Sequence, residues 1–256
     1  MSLDAVRSDL SGSIATITLA RPAKRNALSH EMLGGLRQAF LAVPATVRVV
    51  VLQAEGPTFS AGHDLKEMVD QPADFYQRLF RDCRTTMEAI HQVPQPVVAK
   101  VQGPATAAGC QLVASCDLAI AAETAWFATP GVRIGLFCTT PMVPIVRSVG
   151  RKRAMEMLLT GEPIDARTAA DWGLINRAVP ADDLDDTVER LVGKIASWSP
   201  ETTAIGKRAF YAQIDLPESA AYEVALPIIA GNATTADAQE GIRAFLEKRS
   251  PRWMDR

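Results

Sequence analysis

Pro57-Thr58-Phe59-Ser60-Ala61-Gly62-His63-Asp64-Leu65-Lys66-Glu67 comes soon after the run Val47 to Leu52. That run is short and rich in β-branched residues, as a buried strand is. Small residues at 60 to 62 let a ligand approach the main chain, and glycine permits backbone angles closed to other residues. The same composition suits a plain strand-to-helix turn with Asp64 capping the next helix. Gly103-Pro104-Ala105-Thr106-Ala107-Ala108-Gly109-Cys110-Gln111-Leu112 stands in the same relation to the run Val97 to Val101. A helix starting near Ala107 leaves its first N–H groups unpaired. With the helix dipole, those groups favour negative charge. Close packing of a small-residue helix is the other reading of that stretch. Two such loops after two core strands suggest a pair of N–H donors converging on one oxygen.

Outward from these loops, Ile14 to Leu19 and Asp117 to Ala121 also read as strands. Met32, Leu33, Leu36 and Phe40 recur at helical spacing behind Ser29, a plausible N-cap. Phe75 to Ile90 reads as a second helix, closed off by Pro94 and Pro96. This change of period argues for an α/β layer architecture. After Arg151 the pattern turns helical: Ala154 to Leu159, Ala166 to Trp172, Asp183 to Ser197, Glu201 to Ala212, Glu218 to Ile229 and Thr235 to Lys248. One short strand signal remains near Asn176 to Val179. The expected division is a sheet-containing core over 1–197 and a helical region over 198–256. Such a tail cannot bury its apolar faces alone, so it should pack on the core or on another subunit.

Across 256 residues, 27 lysines and arginines meet 29 acids, a net charge of −2. That balance removes the electrostatic case for general nucleic-acid binding. No apolar run approaches the roughly 20 residues that span a bilayer. Met1-Ser2-Leu3-Asp4 has neither a basic nor an apolar leader character. Cys83, Cys110, Cys116 and Cys138 show no metal-like spacing with the histidines, so free thiols in a cytoplasmic protein are expected and a metal site is not.

The stretch Phe59 to Glu67 resembles the first oxyanion loop of the crotonase (enoyl-CoA hydratase/isomerase) superfamily, and Gly103 to Asp117 resembles its second. Arg21-Pro22, Asn26-Ala27-Leu28, Phe127 with Pro130, Gly135-Leu136, Leu159-Thr160-Gly161, Gly173-Leu174 and Phe245 to Arg249 extend the likeness along nearly the whole chain. The resemblance implies a spiral core of ββα turns with a C-terminal helical oligomerisation region, assembled as a homotrimer or a dimer of trimers. It implies an acyl-CoA substrate, with coenzyme A entering as part of that substrate and no cofactor bound permanently. Carried over by position, it makes Ala61 and Ala108 the backbone donors to the thioester oxygen. Ala61, Gly62, His63, Asp64, Leu65 and Gly109 then fall along the bound CoA. Lys24 and Arg25 are placed to meet its phosphates or to be solvated.

The family's two catalytic glutamates fall on Gln111 and Gly131. Glutamine orients water but does not accept a proton near neutral pH, and glycine has no side chain. Ordinary hydration therefore loses its acid/base machinery, while the oxyanion pair remains, worth on the order of 3 kcal/mol per donor. That leaves a lyase or isomerase working through a stabilised enolate. A decarboxylase-type member, or a non-catalytic acyl-CoA binding or scaffolding protein, are the alternatives. His63 is the nearest group that titrates near neutrality, or else a polar wall of the CoA channel. Cys138, Thr139 and Thr140 are candidates to face the acyl group, and Glu156 and Glu162 to approach from later segments. The wording of 107–117 and 127–138 resembles the enoyl-CoA hydratase domain-containing protein 3 subgroup, in which glutamine and glycine also replace the glutamates.

Overall fold

The structure is a computed structural model that describes residues 5–254. Its main sheet has six strands: β1 (Val6–Ser11), β2 (Ile14–Leu19), β3 (Val49–Ala54), β4 (Val97–Val101), β6 (Leu118–Ala122) and β9 (Arg177–Val179). They lie in the order β1-β2-β3-β4-β6-β9, antiparallel between the first two and parallel thereafter. Three shorter strands, β5 (Ala105–Thr106), β7 (Trp126–Ala128) and β8 (Ile164–Asp165), form a second sheet beside the site.

The continuous apolar runs arise from burial on both faces of the main sheet. Val50 and Leu52 face one core, with α1 (His30–Leu41), α2 (Ala73–Gln92) and α3 (Ala108–Ser115). Val49 and Val51 face a smaller one, sealed by Leu184, Val188 and Val192 of α7 (Leu184–Ala196). The alternation of side chains along one strand thus supplies both layers. Ser29 caps α1 by accepting the Met32 N–H at 3.2 Å, and α2 stops at Val93, just before Pro94.

β5, β7 and β8, at two or three residues each, are too short to carry a periodic signal, and two longer elements also lie outside the sequence reading. β1 is an edge strand with five of its six residues exposed, so it carries no apolar signal. α4 (Met142–Val149) comes after Pro141 and contains Pro144, which falls in the first turn, where no N–H bond is lost. α5 (Arg151–Thr160) and α6 (Ala166–Trp172) precede β9.

After α7 come α8 (Pro200–Gln213), α9 (Glu218–Ala233) and α10 (Ala236–Leu246). α8 is pinned to the core by buried Lys207. Its Nζ donates to the carbonyls of Ile90 (2.7 Å) and Gln95 (2.8 Å) and pairs with Asp117 Oδ2 at 2.6 Å. Tyr211 Oη donates to the other Asp117 oxygen at 2.7 Å and stacks on His91 at 3.9 Å. α9 buries none of its residues, and Tyr222, Leu226 and Ile229 are each at least 58% exposed. No helix among the described residues is long and apolar enough to cross a membrane.

Candidate active site

Asn26 builds the first loop. It is fully buried, in the left-handed region at φ 50°, a conformation asparagine adopts more readily than most residues. Its amide donates to the carbonyls of Glu55 (2.9 Å) and Thr58 (2.8 Å), and its Oδ1 accepts the Arg21 N–H at 2.9 Å. Its own carbonyl accepts Ser60 Oγ at 2.9 Å. The segment after Phe59 is thereby laid beside 25–28, with Leu28 N donating to the Gly62 carbonyl at 2.7 Å.

The second loop locks against the first. Phe59 N and Ser60 N both donate to Pro104 O, and Thr106 N donates to Ser60 O at 2.9 Å. A Cβ on Gly109 would lie 2.8 Å from the Cβ of Ser60 and closer still to its carbonyl. A Cβ on Gly62, at φ 86°, would meet the Cβ of Ala107 at 2.9 Å and the nitrogen of Ala108 at 3.3 Å. Glycine at both positions is what lets the backbones touch.

This contact decides which N–H groups are free. Ala61, expected as the first donor, is engaged: its N–H donates to the Arg25 carbonyl at 3.0 Å. That expectation is corrected on this ground. Two residues on, the His63 N–H has no partner among the described residues, because the bridge to Leu28 uses the Gly62 carbonyl instead. The Ala108 N–H is also unpartnered, at the start of α3. Ala107, the N-cap, sits at φ 49° and ψ −118°, a strained pair of angles for a residue with a Cβ. Its N–H is held by Ala128 O at 2.9 Å and its carbonyl accepts Gln111 N at 3.0 Å.

Both residues with free N–H groups line a cavity of about 360 Å³. Ala61, Leu65, Phe80, Leu136 and Phe137 supply much of its wall, and Cys138, Thr139 and Thr140 line it. Arg133, which sequence reasoning passed over, lines it too and pairs with Glu162. Glu156 is not among the lining residues. Gly131 lines the cavity, but a Cβ there would lie 2.8 Å from Cys138 Sγ and run into the Leu136 carbonyl. Gln111 is buried outside the lining, its Oε1 accepting Cys83 Sγ at 3.8 Å. Burial pushes the Cys83 thiol up to about 12.

His63 is held on the Leu28 side. Its Nδ1 lies 3.2 Å from the Leu28 carbonyl, so the Nδ1–H tautomer donates there. Its ring meets Phe80 edge-on, and Nε2 is buried without a partner. Burial lowers its pKa, partly offset by the Leu28 bond, and nearby His30 lowers it further. The imidazole is therefore neutral at pH 7. Asp64 caps the turn after it by accepting Lys66 N at 3.1 Å, which is the plain reading of that loop. Lys24 Nζ stands 3.9 Å from Asp64 Oδ2, and Arg25 is exposed apart from its engaged carbonyl. Among the described residues no cluster of three His, Cys, Asp or Glu side chains could hold a metal ion.

Comparisons with known proteins agree with this architecture. The profile of the enoyl-CoA hydratase/isomerase family matches residues 9–256. Enoyl-CoA hydratase domain-containing protein 3, mitochondrial, of Rattus norvegicus is 49% identical, covering 94% of this chain and 81% of that protein. The protein of that name from Homo sapiens is 46% identical, covering 94% and 80%. A crystal structure of an enoyl-CoA hydratase from Mycobacterium smegmatis superimposes with a TM-score of 0.95 at 48% identity, covering 97% and 98%. The human domain-containing protein 3 structure does so with a TM-score of 0.95 at 44%, covering 97% and 100%. The resemblance to that subgroup is borne out. The cytoplasmic expectation is overturned, since these relatives are named as mitochondrial proteins. By fold and by sequence along its length, the chain belongs to the crotonase, or enoyl-CoA hydratase/isomerase, family.

Proposed function

We propose that the chain binds an acyl-CoA thioester with its carbonyl oxygen between the N–H groups of His63 and Ala108, and stabilises the enolate that forms there. The observation carrying this reading is the pair of unpartnered N–H groups meeting on one cavity across the Gly62 contact. Each donor contributes on the order of 3 kcal/mol when aimed at developing oxyanion charge. The positive end of α3 adds to the same field. Lys24 and Arg25, exposed beside the loop, are the cations for the CoA phosphates, and 61–65 runs along the CoA.

No carboxylate is among the lining residues of the cavity. Reactions in which the substrate supplies its own leaving group suit such a site better than addition of water does. The class is a lyase or isomerase; decarboxylation is its simplest case. The packing of Gly131 under Leu136 favours a second reading, a non-catalytic acyl-CoA binder. Turnover of an acyl-CoA panel by the purified protein decides between them. Product from any enoyl-, dienoyl- or malonyl-type thioester supports the enzyme. Tight binding with no turnover supports the binder.

The exposed apolar face of α9 supports reading residues 198–256 as an oligomerisation region that packs a second copy, in a homotrimer or dimer of trimers. Sedimentation equilibrium tests this, and a monomer at micromolar concentration refutes it.

A further inference from the structure

The cavity wall opposite in sequence to the donor loops has a chemistry of its own. Residues 133–140 bring to it one guanidinium, from Arg133, and two hydroxyls, from Thr139 and Thr140. No aspartate or glutamate lines the cavity. The other titratable lining groups are His63, which burial keeps neutral at pH 7, and Cys138, whose thiol burial pushes up, so it is protonated there. The lining residues thus carry one full positive charge, donors beside it, and no negative charge of their own.

Arg133 is positioned and only partly spoken for. Its stem packs against Gly161, whose glycine keeps the approach open: a Cβ there would lie 3.1 Å from Arg133 Nε. Nε donates weakly to the Thr160 carbonyl at 3.4 Å, and Nη2 pairs with Glu162. Nη1 has no partner among the described residues. Glu162 is 70% exposed and Arg133 48%. An ion pair that wet is weak and readily exchanged for another carboxylate. The rest of the wall, Leu65, Phe80, Ile134, Leu136 and Phe137, is apolar.

We propose that this wall selects acyl groups bearing a second, free carboxylate, so that the substrate is the mono-CoA thioester of a dicarboxylic acid, with Arg133 as the specificity-determining residue. The inference rests on the thioester site proposed above and names the acyl group it takes. Guanidinium recognises carboxylate through paired N–H donors, which Nη1 and Nη2 supply once Glu162 yields its place. Thr139 and Thr140 are within the same wall to donate to the second oxygen.

The test is calorimetric binding of length-matched pairs to the whole protein: succinyl-CoA against butyryl-CoA, and glutaryl-CoA against valeryl-CoA. At least one dicarboxylyl thioester is expected to bind about tenfold more tightly than its uncharged partner, the yield of one good charge-assisted contact. In Arg133→Met, checked for folding by its thermal melt, that preference should fall to within about twofold. In Glu162→Gln, which frees the guanidinium, it should grow. Equal affinity within both pairs overturns the inference and leaves the thioester site standing. An Arg133→Met variant that weakens every thioester and free CoA alike also overturns it, placing Arg133 on the CoA phosphates. If no CoA thioester binds, the thioester reading itself fails, and this inference with it.

Discussion

Leu136 closes the space in which a side chain on Gly131 would begin. Its carbonyl oxygen stands well inside van der Waals distance of where that Cβ would lie, while Leu136 N donates to the Gly131 carbonyl at 3.0 Å. The loop folds back over a residue that has to be glycine. A carboxylate therefore cannot be restored at 131 by substitution alone. Gly131→Ala should cost about 1–3 kcal/mol through overpacking, and Gly131→Glu more, read by urea denaturation. A Gly131→Glu variant as stable as the parent would show that the loop yields easily.

Ala107 carries backbone strain next to the Ala108 donor. Glycine tolerates φ 49° and ψ −118° without penalty. Ala107→Gly should therefore raise stability by about 1 kcal/mol, the relief of strain exceeding the added freedom of the unfolded chain. A loss of stability in the same denaturation measurement would mean that the Ala107 methyl against Gly62 matters more than the strain.

These two residues show where the sequence could be read and where it could not. The strands are legible because β3, β4 and β6 are largely apolar on both faces and β2 alternates Ala15, Ile17 and Leu19 with threonines, and α1 because its apolar spacing and Ser29 cap agree. The strained turn at Ala107 left no mark, since alanine is ordinary in a helix start. The resemblance places the first donor at Ala61, and neither it nor composition shows that the Arg25 carbonyl, far up the chain, takes that N–H. Gly131 could be read as a missing carboxylate but not as a required glycine. That requirement comes from a fold-back of the chain over it. Gln111 likewise looked like a site residue, and only packing shows its amide turned to Cys83.

The Lys207–Asp117 pair holds α8 against the end of the strand-and-helix unit that carries Ala108. Both side chains are largely buried, at 5% and 15% exposure. Lys207→Met should cost about 3–5 kcal/mol, because it leaves the Asp117 carboxylate buried with Tyr211 and Val97 N as its remaining donors. Adding Asp117→Asn should recover part of that loss. Strict additivity in this double-mutant cycle would refute the coupling.

Burial lowers the pKa of both His63 and His91 below the ordinary 6.5. Between that value and the native ones, the unfolded chain binds more protons than the folded one. Stability is therefore fully present above about pH 6.5 and lost as pH falls below it. Urea unfolding should show a lower free energy at pH 5.5 than at pH 7.5. His63→Gln and His91→Gln should each reduce the difference. An unchanged difference in both variants would assign the acid sensitivity to other groups.

The thioester reading turns on the position of one oxygen. A crystal structure of the protein with a bound acyl-CoA measures it directly. The thioester oxygen is expected within about 3 Å of both the His63 and the Ala108 nitrogens, with the Ala61 N–H still bonded to Arg25. A thioester oxygen bound away from either nitrogen, or held by Ala61 after its bond to Arg25 has broken, would contradict that reading.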